Sequence, residues 1–147
     1  MERQEIIDKV KEYFRIGELV CDHVYARFGD KAWMFLSTEL LHTLLVLRTE
    51  IIKEPIIVNT ATLKQRGLRC NMCPLVKGKS SVYVSAHLLG RGVDFHVNGK
   101  TAEQVRQLIK DNADKLPYKI RLEADTSWVH CDCYDSGTKD KITMFKG

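Results

Sequence analysis

Two histidines and an aspartate carry donor types suited to a metal ion. The stretch VSAHLLGRGVDFHV, residues 84–97, sets His87, Asp94 and His96 among glycines and apolar residues, and WVHCDCYD, residues 128–135, carries His130. A hydrolytic zinc ion takes three nitrogen or oxygen donors from the protein and keeps a fourth position open, where water becomes acidic enough to attack. His87 and Asp94 lie seven residues apart across a glycine-containing turn. Such a turn brings the end of one strand alongside the start of the next, so two ligands can meet there. Strand alternation sends His130, Asp132, Tyr134 and Trp128 to one face, and Val129, Cys131 and Cys133 to the other. Taken singly, the first stretch also reads as a solvated loop with a capping Asp, and His130 as a half-buried strand histidine.

The elements that must position these residues follow from hydrophobic spacing. Residues 2–14 place Ile6, Ile7, Val10 and Phe14 at helical intervals, and residues 31–50 do the same with Ala32, Phe35, Leu36, Leu40, Leu44 and Leu47. The second helix starts either at Ser37–Thr38 or at Asp30. PIIVNT after Pro55, SSVYVSA and VDFHV read as strands, the last ending at the Asn98-Gly99 turn signal. Thr101 opens a capped amphipathic helix through AEQVRQLI. YKIRLEA and WVHCDCYD form a hairpin. The expected fold is α+β, a small, mostly antiparallel sheet flanked by helices, with the metal site on the sheet face.

With 147 residues, 44% hydrophobic and 29% charged, the chain reads as one globular domain spanning residues 1–147. Its formal net charge of +4 is spread over scattered Lys and Arg residues, with no basic run interleaved with aromatics. Nucleic acid is therefore not the expected partner. No apolar run approaches the roughly 20 residues of a membrane helix. The N-terminus, MERQEIIDKVKEYF, is charged and amphipathic and has no signal-peptide core. Synthesis in the cytoplasm is expected, so the five cysteines read as thiols or thiolates.

The segment SAHLLGRGVD resembles the S-x-H-x-x-G-x-A-x-D signature of the zinc D-Ala-D-Ala carboxypeptidases and dipeptidases, a group that includes phage endolysins and the hedgehog zinc fold. WVHCD is similar to the later segment holding that family's last zinc histidine, and the order is the same. Four of the five fixed positions match, with Gly92 in place of the usual Ala. YFRIGELVC and QRGLR also resemble the phage-type branch. The resemblance implies one catalytic zinc on His87, Asp94 and His130. It implies an acidic general base shortly before the last ligand, and here Glu123 and Asp125 are the available acids. Ser127 stands where the dipeptidase branch has Glu-x-x-His. An even-membered hairpin turn puts Glu123 on the His130 face and Asp125 at the tip, which selects Glu123. The competing reading of Glu123 is an exposed carboxylate paired with Arg121 or Lys119. The family's carbonyl-polarising arginine maps to Arg69, with Arg66 as the alternate, and Ser85 maps to a substrate hydrogen bond. His96 shares a strand face with Asp94 and reads as a supporting or surface residue.

Cys70-x-x-Cys73 and Cys131-x-Cys133 raise a second option, a structural zinc behind the active face. The reading adopted is packing, because free cysteine behaves as a small apolar residue. Cys21 is likewise read as packing. Together the resemblance implies a zinc metallopeptidase that cleaves an amide bond in the peptide part of bacterial peptidoglycan, as a carboxypeptidase or endopeptidase. The stem peptide would be its partner. It would reach the wall after holin-type release or as a virion component. The alternative is a hedgehog-like binding module that keeps zinc and has lost the base.

Overall fold

Hydrophobic spacing builds the helical layer first. In the computed structural model, which describes residues 1–147, α1 (Arg3–Val10) buries Ile6, Ile7 and Val10. Two short helices follow, α2 (Ile16–Leu19) and α3 (Asp22–Phe28). The expected helix over 31–50 is divided. A 3-10 segment, Gly29–Phe35, ends at an extended Leu36, and α4 (Thr38–Val46) begins afresh behind it and widens into a π turn over Leu47–Ile51. The division has two causes. Ser37 Oγ accepts the Leu40 amide at 3.1 Å as an N-cap, and the Ser37 amide donates to the Gly90 carbonyl at 2.9 Å. That bond carries the chain out of the helix toward the turn holding His87. Helix α5 (Ala102–Asp111) starts at Thr101, where Thr101 and Gln104 form the reciprocal capping pair expected from the sequence.

The sheet has four strands, β1 (Gly92–Phe95), β2 (Ile120–Glu123), β3 (Val129–Asp132) and β4 (Ile142–Phe145), in the order β1-β3-β2-β4. β3 pairs antiparallel with both β1 and β2, while β4 pairs parallel with β2. The class is thus α+β with a mostly antiparallel sheet, as the sequence predicts. Alternation sorts the strands into two faces. Val93, Phe95, Ile120, Leu122, Val129 and Cys131 are all buried on the core face. The opposite face carries Asp94, His130 and Asp132, with Arg121 directly across from Asp132.

Two strand expectations change, and one strand is added. PIIVNT makes only a single bridge, in which Ile57 exchanges both backbone hydrogen bonds with His96. SSVYVSA is not a strand. Its Val82 and Val84 are exposed at 92% and 57%, so nothing apolar rewards a ladder there. β4, unforeseen in the sequence, lies at the sheet edge.

Candidate metal centre

The turn after residue 84 delivers His87. The Leu88 and Leu89 amides both donate to the Ser85 carbonyl, and the Arg91 amide to that of Ala86, folding residues 85–91 into a tight reversal that leads into β1. Gly90 makes the reversal fit. Its φ is +68°, and a Cβ there would lie 1.9 Å from the Phe35 carbonyl oxygen. Gly92, which stands where the motif that this segment resembles has Ala, also suits its place, because a Cβ would come within 2.8 Å of the Ala86 methyl.

His87, Asp94 and His130 converge. Asp94 and His130 are register partners across β1 and β3, with Asp94 Oδ1 2.8 Å from His130 Nδ1. The other oxygen, Oδ2, is 3.2 Å from His87 Nε2. The three donor atoms all lie within 4.8 Å of one another. Each histidine is fixed by its far nitrogen. His87 Nδ1–H donates to the Gly67 carbonyl at 3.0 Å, and His130 Nε2–H donates to Asp132 Oδ2 at 2.7 Å. Such outer acceptors set the ring orientation and leave one nitrogen of each imidazole facing the shared point. Two imidazoles and a carboxylate with this support suit zinc.

The charges are internally balanced. Burial works against the His130 imidazolium, yet hydrogen bonds to Asp132 and Asp94 prevail and raise it to about 9. Burial likewise opposes ionisation of Asp94, and the two histidines overcome it, holding the carboxyl well below its ordinary range. Asp132 has no solvent exposure. It accepts from Arg121 Nε and NH2 at 2.9 and 2.8 Å and from the Tyr134 amide at 3.1 Å, which satisfies the buried charge. Strand alternation alone puts Asp132 on this face, but its role depends on the contacts with His130 and Arg121.

The remaining site residues separate clearly. Arg69 NH2 is 3.6 Å from Asp94 Oδ2, while Arg69 NH1 donates to the Tyr83 hydroxyl at 3.2 Å. Arg66 is spent elsewhere, on the Ile57 and Val58 carbonyls and on His96 Nδ1 at 3.0 Å. His96 is therefore the acceptor that holds Arg66, and burial together with that cation lowers its pKa. Ser85 Oγ accepts the His87 amide at 3.2 Å. Continuing the β2–β3 register by one residue sets Glu123 opposite His130, on the same face. Its proposed competitors for pairing are engaged: Arg121 with Asp132, and Lys119 with the Thr138 carbonyl and Asp135. Asp125 occupies the turn at φ 65° and pairs with Lys146 in solvent.

The cysteines regroup. Cys131 and Cys133 do not meet Cys70 and Cys73. Both are buried and held as neutral thiols, since burial raises Cys131 well above its ordinary value and Cys133 to about 11. Cys70 and Cys73 instead join Cys21 and His23 in a second cluster, with all four ligand atoms within 4.8 Å of one another, an arrangement that can hold a metal ion. Cys21 packs in the core, as expected, and is also placed to offer its sulfur to this cluster. His23 went unread in the sequence, although Cys21-x-His23 with Cys70-x-x-Cys73 is itself a metal-ligand spacing.

No family model matches the chain, and neither does any curated protein or solved structure. No helix is long and apolar enough to cross a membrane.

Proposed function

We propose that the chain is a zinc-dependent hydrolase that cleaves an amide bond in the peptide part of bacterial peptidoglycan. The observation that carries this reading is the convergence of His87 Nε2, Asp94 and His130 Nδ1, with each imidazole braced from behind. The substrate class rests on the motif order that SAHLLGRGVD and WVHCD share with the zinc D-Ala-D-Ala peptidases.

His87, Asp94 and His130 would hold the zinc ion, which when bound would supply Lewis acidity for attack of water on an amide near neutral pH. The protein's own groups do the rest. Glu123, the carboxylate one strand beyond His130, takes the proton of the attacking water and returns it to the leaving amine. Arg69, standing beside Asp94, faces the scissile carbonyl and stabilises the oxyanion. The hydroxyl of Ser85, beside His87 at the rim of the turn, hydrogen-bonds the substrate backbone. Action at the wall follows from that substrate, with release through a holin or carriage on a virion as the route.

One observation favours a second reading. Strand order puts Asp94 on one side of His130 and Glu123 on the other. If that separation persists with metal bound, the chain is a zinc-stabilised binding module without a base. Digestion of purified peptidoglycan, with mass spectrometry of the new termini, decides between them. Peptide termini released by the zinc-loaded chain and absent with Glu123→Gln establish the hydrolase. Sedimentation of the chain with intact wall and no new termini establishes the module.

A further inference from the structure

The thiol cluster joins two segments distant in sequence. Residues 19–21 run beside residues 67–69: the Leu68 amide donates to the Leu19 carbonyl at 2.8 Å, and the Cys21 amide to the Leu68 carbonyl at 2.9 Å. Gly67 permits this approach, since a Cβ there would lie 2.2 Å from the Leu19 carbonyl oxygen. Cys21 ends the first segment as the N-cap of α3, with His23 in that helix's first turn. Cys70 and Cys73 lie immediately beyond the second. His23 Nδ1 is 3.6 Å from Cys70 Sγ and 3.9 Å from Cys73 Sγ.

These separations have the size of tetrahedral edges. Zinc–sulfur bonds of about 2.3 Å and zinc–nitrogen bonds of about 2.05 Å at tetrahedral angles give sulfur–nitrogen edges of about 3.6 Å. Two backbone amides also reach the sulfurs. The Met72 amide donates to Cys70 Sγ at 3.3 Å and the Cys70 amide to Cys73 Sγ at 3.4 Å. The Met72 amide favours the Cys70 thiolate, the form that binds metal, whereas burial outweighs the amide at Cys73 and pushes that thiol up to about 12, so Cys73 gives up its proton only to a bound ion.

We propose that Cys21, His23, Cys70 and Cys73 bind one structural zinc ion, and that this ion fixes the loop that shapes the histidine–aspartate site. The ligand set is Cys3His, four donors with no open position, which is the composition of structural rather than catalytic zinc. The loop joins the two clusters through four consecutive residues. The Gly67 carbonyl holds His87 Nδ1, the Leu68 backbone pairs with the Cys21 strand, Arg69 reaches Asp94, and Cys70 is a ligand. Arg69 is further tied by its Nε to the Gln65 carbonyl at 2.7 Å, and its amide donates to the His87 carbonyl at 3.1 Å. A metal anchoring Cys70 therefore limits where Gly67 and Arg69 can sit. The ligands are separate from His87, Asp94 and His130, so the inference stands whether or not the chain is a hydrolase.

The test is cobalt substitution of the full chain after chelation. Thiolate-bound cobalt gives near-ultraviolet charge-transfer absorption, which histidine and carboxylate ligands do not. Two cobalt equivalents are expected, one of them with this band. Cys70→Ser should remove the band and one equivalent, and should weaken cobalt binding at the other site about tenfold to a hundredfold, the loss typical when support of a metal-ligating histidine is disturbed. His130→Ala should keep the band. If Cys70→Ser does not fold, X-ray absorption of the intact zinc-loaded chain decides, with a sulfur shell near 2.3 Å expected. Absence of both the band and a sulfur shell, or a disulfide among these cysteines in the reduced-buffer preparation, overturns the site. Loss of the band with unchanged affinity at the second site overturns the coupling.

Discussion

The two donor clusters both contact the loop over residues 67–70 and differ in what surrounds them. His87, Asp94 and His130 are buried where a turn meets a sheet face, number three, and have a cation beside them and a second carboxylate behind. Cys21, His23, Cys70 and Cys73 number four, lie where a helix start meets a loop, and leave His23 exposed. Three ligands with charged neighbours leave a coordination position and the means to handle charge there. Four ligands with sulfur close the shell. The contrast teaches that ligand count, ligand identity and local charge change together: the three-donor nitrogen–oxygen cluster has the make-up of an open metal site and the four-donor sulfur-rich cluster that of a closed one.

The largest effect should come from removing a donor of the first cluster. His130→Ala is expected to lose the metal of the first cluster and all detectable hydrolysis while retaining the metal of the second. Elemental analysis beside the digestion assay checks this. If His130→Ala empties both clusters, the two sites form a single folding unit and the comparison fails.

The next effect is confined to chemistry. Glu123→Gln should keep both metals and the fold yet lower turnover by about a hundredfold to ten-thousandfold, the usual worth of a general base. Asp125→Asn should be close to normal, since Asp125 is a solvent-exposed turn residue paired with Lys146. A reversal of these two results would move the base to the turn.

What the sequence revealed here depended on range. Asp94 and His130 were legible because period-two alternation fixes faces, and the turn between His87 and Asp94 is local. The Thr101–Gln104 cap was legible for the same reason. Cys21 and His23 were not, because their meeting with Cys70 depends on the 19–21 and 67–69 segments pairing, and nothing local in either stretch announces that partner. The strand expected at 80–86 failed in the opposite way. Its composition was right, but a β-prone run needs a ladder and a buried face, and Val82 and Val84 have neither. β4 joins the sheet through parallel pairing with β2, a partnership that no hairpin signal marks.

A smaller effect probes the support behind His130. Asp132→Asn keeps the shape but weakens the acceptor that fixes the His130 tautomer. Metal affinity at the first cluster should fall about tenfold to a hundredfold, with the second unchanged. Competition against a chelator of known affinity measures both. Equal weakening at the two clusters would show that Asp132 acts through overall stability, since Arg121 would also lose part of its bidentate partner.

The smallest effect belongs to the cysteines that lie outside both clusters. Cys131 is 1% exposed on the core face of β3, where its register partners are Val93 and Leu122. Burial holds its thiol neutral, and a neutral thiol in apolar surroundings contributes as a small hydrophobe. Cys131→Ala removes one buried sulfur and should cost on the order of 1–3 kcal/mol of stability. Metal content and the cobalt charge-transfer band should not change. Denaturant unfolding measures the cost, and metal analysis checks the rest. Cys73→Ala, in contrast, should lose stability and a metal equivalent together, because binding of a structural ion is itself folding free energy. Loss of metal in Cys131→Ala would return that thiol to a ligand set and dissolve the distinction between packing and coordinating cysteines drawn here.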